Sequence, residues 1–284
     1  MSRNWDEVYA NQQIILATLK GIDEIFLAGG TAIQCYLLNR KYRESEDLDF
    51  FVDHEISRSE GAKLARVIIE TLGQNEHIRV ARHTHTEEGT HRIFCEVAGS
   101  SEMVKIELLN FTAGRFGDLE FVKHEDFPRI ENPYNLLLYK LKALCDRTDT
   151  VKDLFDIYFL FKILEPIDLR QMLLDLEMKF LETTGYVYNA QTLISALNVA
   201  RRWDIVLSEE SRLQYAMKEA IVAFGNDFAT QLLRAPEVLD FSYETYVREK
   251  MVTNGCESAE EYLSFFEENV FLEKEIISMG KTHV

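Results

Sequence analysis

Residues 47–52 read Asp-Leu-Asp-Phe-Phe-Val, an apolar run that carries two carboxylates one residue apart. On a strand, residues i and i+2 project to the same face. Asp47 and Asp49 therefore stand together, while Leu48 and Phe50 face a core. Carboxylates in an apolar strand cost free energy unless they are paired or hold a cation. A fold for this chain must bury one face of the segment and bring positive charge to the other.

The neighbouring sequence predicts what surrounds that strand. Residues 5–22 carry apolar side chains at roughly helical spacing. Residues 24–28, Glu-Ile-Phe-Leu-Ala, predict a short buried strand ending at Gly29-Gly30, and residues 31–39 predict a helix capped by Thr31. Residues 57–73 predict an amphipathic helix, capped by Ser57 or Ser59 and ended by Gly73. The period then shifts to two. Residues 77–83, 91–99 and 102–110 predict strands, separated by Glu-Glu-Gly-Thr and Gly-Ser-Ser turn chemistry. Asn132-Pro133 opens a helix, with asparagine as cap and proline at the first helical position, and the pattern stays helical to the end. The expected fold class is α+β over residues 1–128, followed by an all-helical region over 129–284.

Composition narrows the function. The chain has 284 residues, room for one large domain or two ordinary ones. No stretch approaches the roughly 18 consecutive apolar residues of a membrane span, and the first ten residues lack the apolar core of a secretory signal. Cys35, Cys95, Cys145 and Cys256 form no Cys-x-x-Cys pair, and the first three sit in apolar runs, as reduced thiols of a cytoplasmic protein do. The net charge is −17, with −7 in residues 1–150 and −10 in the remainder. That argues against nonspecific nucleic-acid binding through phosphate neutralisation. It leaves open a local basic groove or a basic protein partner.

The chemistry of the carboxylate pair points to a hard divalent cation such as Mg²⁺, which takes oxygen ligands and retains substrate phosphates. Glu107 lies on the strand at 102–110 with Val104, Ile106 and Leu108 facing the other way, and it joins Asp47 and Asp49 if the two strands pair. Two metals about 3.5–4 Å apart clamp the attacking and leaving oxygens of phosphoryl transfer. Glycines let backbone approach phosphate closely, and N–H groups opening a helix attract anions, which gives Gly29, Gly30 and Thr31 a role as a phosphate cradle. These ingredients specify metal-assisted nucleotidyl transfer better than hydrolysis. His83, His85 and His91 lie in or near a hairpin, where His83 and His85 share a strand face that could take a transition metal, but without a completing ligand they read as a polar edge or, with Arg79, Arg82 and Arg92, as a local basic strip. Tyr186, Tyr188 and Trp203 read as packing residues and 266–276 as an acidic amphipathic helix. No Ser-His-Asp triad or P-loop is present.

Residues 28–51, AGGTAIQCYLLNRKYRESEDLDFF, resemble the Gly-Gly-Thr-Ala … Arg-x-Ser-x-Asp-hydrophobic-Asp-Phe signature of the AbiEii/AbiGii-type nucleotidyltransferase toxins. These belong to the DNA polymerase beta-like nucleotidyltransferase superfamily. Residues 139–160, YKLKALCDRTDTVKDLFDIYFL, resemble the later motif of the same family. The resemblance implies a nucleotidyltransferase-like mixed sheet with flanking helices. It makes Gly29, Gly30 and Thr31 the nucleotide phosphate loop, Asp47 and Asp49 the metal ligands, and Arg43 and Ser45 phosphate-binding or bracing groups. Lys140 matches the functional lysine and Asp153 the later functional aspartate, with Arg147, Lys152 and Asp156 on the remaining positions. Glu107 stands where the superfamily usually carries Asp, as third ligand or base. The implied reaction transfers NMP from an NTP to an acceptor hydroxyl of tRNA or protein, with Mg²⁺ or Mn²⁺, in the toxin of a toxin–antitoxin system, which implies a cognate antitoxin, or of a phage-abortive system. A small-molecule transferase of the aminoglycoside-modifying kind and a non-catalytic nucleotide- or partner-binding module are the alternatives.

Overall fold

The computed structural model describes residues 3–38, 43–52, 56–86, 89–109, 115–116, 120–147, 151–184, 188–200 and 212–234. Tyr186, Trp203, Cys256 and residues 266–276 lie outside the described residues. The chain divides into two compact units, Met1–Thr112 with Glu120–Leu136, and Ala113–Leu119 with Leu137–Val284.

The first unit is a mixed five-stranded sheet with flanking helices. Its strands are β1 (Ile25–Ala28), β2 (Asp47–Val52), β3 (Ile78–His85), β4 (His91–Val97) and β5 (Met103–Leu109). Their spatial order is β1-β2-β5-β4-β3. Among these strands the β2–β5 pairing is parallel and the other three pairings are antiparallel. The alternation in the sequence sets the two faces. Leu48 and Phe50 of β2 are fully buried, as are Val104, Ile106 and Leu108 of β5. Helices α1 (Trp5–Leu19) and α3 (Arg58–Gly73) pack on one another, α1 against β5 and α3 against β3 and β4. Ile15, Leu16 and Leu19 of α1 and Ile68 and Leu72 of α3 are fully buried.

Local chemistry explains the helix ends. The Asn4 side chain accepts from the Glu7 amide, and Ser57 forms a capping box with Glu60. Thr31 is not the cap expected from the sequence. The helix α2 starts earlier, at Gly29, and runs Gly29–Thr31 into a π-helical segment Ala32–Leu37. Gly29 has φ +70°, so the chain enters the helix directly from the strand. Thr31 is then already inside the helix, and its hydroxyl turns to β2 instead.

The outer edge of β1 is not bare. The Leu27 amide donates to the Arg129 carbonyl and Leu27 O accepts from the Glu131 amide, both at 2.8 Å. At the other end of the sheet, residues 81–85 of β3 are exposed.

The second unit is helical among its described residues. Pro133–Asp146 forms α4, which spans the division between units. Val151–Leu164, Leu169–Thr184, Ala190–Ala200 and Arg212–Arg234 form α5 to α8. The Asn132 side chain accepts from the Asn135 amide at 2.8 Å, the cap expected before Pro133. Tyr188 packs as expected: it is buried, edge-on to Phe180, and its hydroxyl donates to Asp146 at 2.8 Å. Cys35, Cys95 and Cys145 are free thiols, and burial pushes Cys95 and Cys145 up to about 12. No helix among the described residues is long and apolar enough to cross a membrane.

The Phe50 ring is fully buried and packs 5.4 Å from Phe127. Phe50→Ala is expected to lower unfolding free energy by about 3–5 kcal/mol, read from urea unfolding.

Candidate active site

The parallel register of β2 with β5 assembles the charged face. Asp49 lies opposite Glu107 and Asp47 opposite Lys105. On the far side of β5, Arg92 of β4 lies opposite Glu107. The condition the sequence left open, that the Glu107 strand pair with the Asp47–Asp49 strand, is met.

Three carboxylates on one face need positive charge, and the sheet supplies it. Lys105 Nζ lies 2.8 Å from Asp47 Oδ2 and 3.1 Å from Glu107 Oε1. Arg92 Nε donates to the same Glu107 oxygen at 2.9 Å. Burial works against the Lys105 charge, but hydrogen bonds and attraction from Asp47 and Glu107 outweigh it and raise its pKa. Asp47 Oδ1, by contrast, is buried with no hydrogen-bond partner. A buried carboxylate oxygen without a donor is costly. Its place beside Asp49 suits a hard cation, so the residues present fit a divalent ion. Among the described residues, no group of three or more His, Cys, Asp or Glu is arranged to hold a metal.

The double glycine is fitted to these side chains. A Cβ added at Gly29 would lie 1.9 Å from Asp49 Oδ2, and one at Gly30 would lie 2.5 Å from Arg43 Nη2 and 2.8 Å from Ser45 Oγ. The Asp49 carboxylate therefore sits in the space that a side chain at position 29 would need. Thr31, buried, donates to the Asp47 carbonyl at 2.6 Å and contacts Ser45 Oγ at 2.9 Å. Its hydroxyl braces β2 from within. Ser45 is itself held by α1: Gln12 donates to its carbonyl at 3.0 Å and Tyr9 Oη accepts from its amide at 3.3 Å. Arg43 donates to the Glu44 carbonyl at 2.9 Å and lies over Gly30.

Inside the second unit, residues of the later motif form a cluster. Asp153 and Asp156 are fully buried on one face of α5, three residues apart as the sequence predicts. Lys140 of α4 meets both, at 3.1 Å from Asp153 Oδ1 and 2.8 Å from Asp156 Oδ2. Arg147 adds a contact to Asp153 at 3.2 Å. Lys152 is exposed.

On the hairpin, His83 Nε2 and His91 Nδ1 lie 3.1 Å apart, and His85 is paired with His91 across the turn. Burial lowers the pKa of His83 and His91, and repulsion among the neighbouring rings lowers both further. Arg79 pairs with Glu96 and Arg82 stacks on Phe94.

Sequence reasoning missed Lys105 altogether and treated Arg92 only as part of a basic strip. The signal for Lys105 was available: it sits two residues before Glu107, and the period-two rule that aligned Asp47 with Asp49 applies equally to this pair.

The sequence profile of the nucleotidyl transferase AbiEii toxin family, of type IV toxin–antitoxin systems, matches residues 15–235. The chain belongs to this family of nucleotidyltransferases. A search of curated proteins finds no match. Among solved structures, it is similar to a candidate nucleotidyltransferase from H. pylori, with 20% identity, a TM-score of 0.47 and coverage of 82% of this chain and 98% of that one. It is similar to JHP933 from Helicobacter pylori, with 20% identity, a TM-score of 0.43 and coverage of 84% and 98%. It is also similar to the antibiotic-resistance factor ANT(2'')-Ia, with 13% identity, a TM-score of 0.36 and coverage of 78% and 96%.

Two substitutions test this geometry. Gly29→Ala forces an alanine to φ +70° and drives its methyl into Asp49. It is expected to cost at least about 2 kcal/mol, read from the urea midpoint. Lys140→Met leaves Asp153 and Asp156 buried without their shared ammonium. Its expected cost is about 3–5 kcal/mol, seen as a loss of thermal stability.

Proposed function

We propose that this protein transfers a nucleoside monophosphate from an NTP to an acceptor hydroxyl in a divalent-metal-dependent reaction, and that it acts as the toxin partner of a cognate antitoxin. The observation that carries the reading is the pairing of β2 with β5. It puts Glu107 opposite Asp49, on the strand face that Asp47 and Asp49 share, where Asp47 Oδ1 is buried without a hydrogen-bond partner.

Each group then has a chemical task. Asp47 and Asp49 hold the cation, which when bound neutralises phosphate charge and favours ionisation of the acceptor hydroxyl. The Gly29-Gly30 backbone offers close approach to phosphate oxygens, because no side chain intervenes. Arg43, against Gly30, supplies a planar donor for phosphate. Thr31 and Ser45 keep β2 and the turn in register through the Asp47 carbonyl. Glu107 anchors Lys105 and Arg92 at the carboxylate pair. The acceptor oxygen attacks the α-phosphorus, the bond to the β-phosphate bridging oxygen breaks, and pyrophosphate leaves while the acceptor proton passes to solvent or a nearby carboxylate.

From the family motif we carry Lys140 and Asp153 as functional residues. Their buried ion pair fixes both charges in one geometry without solvent reorganisation. A tRNA or a protein is the acceptor that the family membership favours. The acidic balance of the chain, −17 in all, makes recognition by a local surface more plausible than a broad basic one.

The test is transfer of label from α-labelled NTPs to total RNA or to a protein lysate, with Mg²⁺ and with EDTA. Transfer is expected only with the metal. Asp47→Asn and Asp49→Asn are each expected to lower the rate by at least about a hundredfold, the scale on which losing one preorganised electrostatic group lowers kcat. Full transfer by Asp47→Asn, or transfer in EDTA, contradicts the reading. Label appearing on an added aminoglycoside, and on no macromolecule, identifies a small-molecule transferase instead.

A further inference from the structure

Sites that use two divalent ions for phosphoryl transfer space them about 3.5–4 Å apart, so that each ion takes a share of the same carboxylates. The three carboxylates here are divided differently. One side of Asp47, its Oδ1 atom, is buried with no hydrogen-bond partner, and Asp49, two residues on along the same strand face, has its carboxylate in the space kept open by Gly29. The other side, Asp47 Oδ2, is 2.8 Å from Lys105 Nζ, and that same nitrogen is 3.1 Å from Glu107 Oε1. An ammonium group therefore bridges the two carboxylates that a second ion would bridge. Glu107 Oε1 also accepts from Arg92, so the same oxygen already serves two basic side chains.

We propose that Lys105 is a built-in replacement for the second metal: its Nζ occupies the place between Asp47 Oδ2 and Glu107 Oε1, and the site takes a single divalent ion, at Asp47 Oδ1 and Asp49. This rests on the nucleotidyl-transfer reading above and sharpens it. Lys105 is a positioning residue, which holds Asp47 and Glu107 in place. Arg92 is its support, reached through Glu107. The arrangement also explains why glutamate serves at position 107. With Lys105 two residues earlier on the same strand face, the carboxylate must reach back along its own strand to a neighbouring side chain, and glutamate is one methylene longer than aspartate.

The ion count decides it. The purified chain is titrated with Mn²⁺ in the presence of a non-hydrolysable α,β-methylene NTP, and bound ions per chain are counted by electron paramagnetic resonance. The same measurement is made on Lys105→Gln and, as a second variant of different polarity, Lys105→Met. Circular dichroism checks that each is folded, which the partly exposed position of Lys105 on its strand favours. One ion in the wild type is expected. Two are expected in the folded Lys105 variants, with the line broadening of a spin-coupled Mn²⁺ pair. A merely structural lysine would not change that spectrum. Two ions in the wild type overturn the role of Lys105 and leave nucleotidyl transfer standing. One ion in both wild type and variants also overturns it. No ion in the wild type overturns the metal reading itself and this inference with it. The labelled-NTP transfer assay reports separately on whether the reaction occurs at all.

Discussion

The site depends on β2 holding a single register between an antiparallel neighbour and a parallel one. Ala28 of β1 faces Asp49 from one side and Glu107 of β5 faces it from the other. A slip of one residue would turn Leu48 and Phe50 outward and drive both aspartates into the core. The strand is locked against that slip from several directions. Thr31 bonds the Asp47 carbonyl, α1 holds Ser45 at the entrance, and the Asp49 side chain fills the space beside Gly29. The hydrophobic pattern and the polar contacts thus enforce the same alignment.

The two units contain two different answers to the problem of burying carboxylates. In the helical unit, Asp153 and Asp156 are fully buried and share Lys140, with Arg147 at the rim. Side chains of the same unit neutralise them. In the sheet, neutralisation is incomplete: Lys105 and Arg92 serve Glu107 and one side of Asp47, and Asp47 Oδ1 has no donor. A buried pair that is closed on itself specifies geometry at some cost in stability. A carboxylate left one donor short is primed for a ligand. The helical cluster closes its charges on one another, and the sheet cluster leaves one carboxylate oxygen without a donor.

Much of this was legible in the sequence, because it follows from periodicity. The five strands and the helices between them come from period-two and helical spacing, and the common face of Asp47 and Asp49 comes from the same rule. The pairing of strands far apart in the chain was not legible. β2 and β5 are neighbours in space across more than fifty residues, and only that adjacency carries Lys105 to Asp47. The misplaced cap at Thr31 has a local cause. The helix start depends on the backbone conformation of Gly29, and a glycine allows an entry that a pattern of side chains does not reveal. For the acidic pair on α5, the sequence motif offered Arg147 and Lys152 as neighbouring basic residues. The structure keeps Arg147, adds Lys140 from the preceding helix and leaves Lys152 in solvent.

The two ends of the sheet are finished by unlike means. At β1 the free backbone groups of Leu27 are taken by residues 129 and 131, so that edge has nothing left to offer another strand there. At β3 the end strand carries Arg79, Arg82, His83 and His85 along an exposed run. Charged side chains on an end strand discourage edge-to-edge pairing between molecules. The sheet is therefore closed to further growth by bonding at one end and guarded by charge at the other.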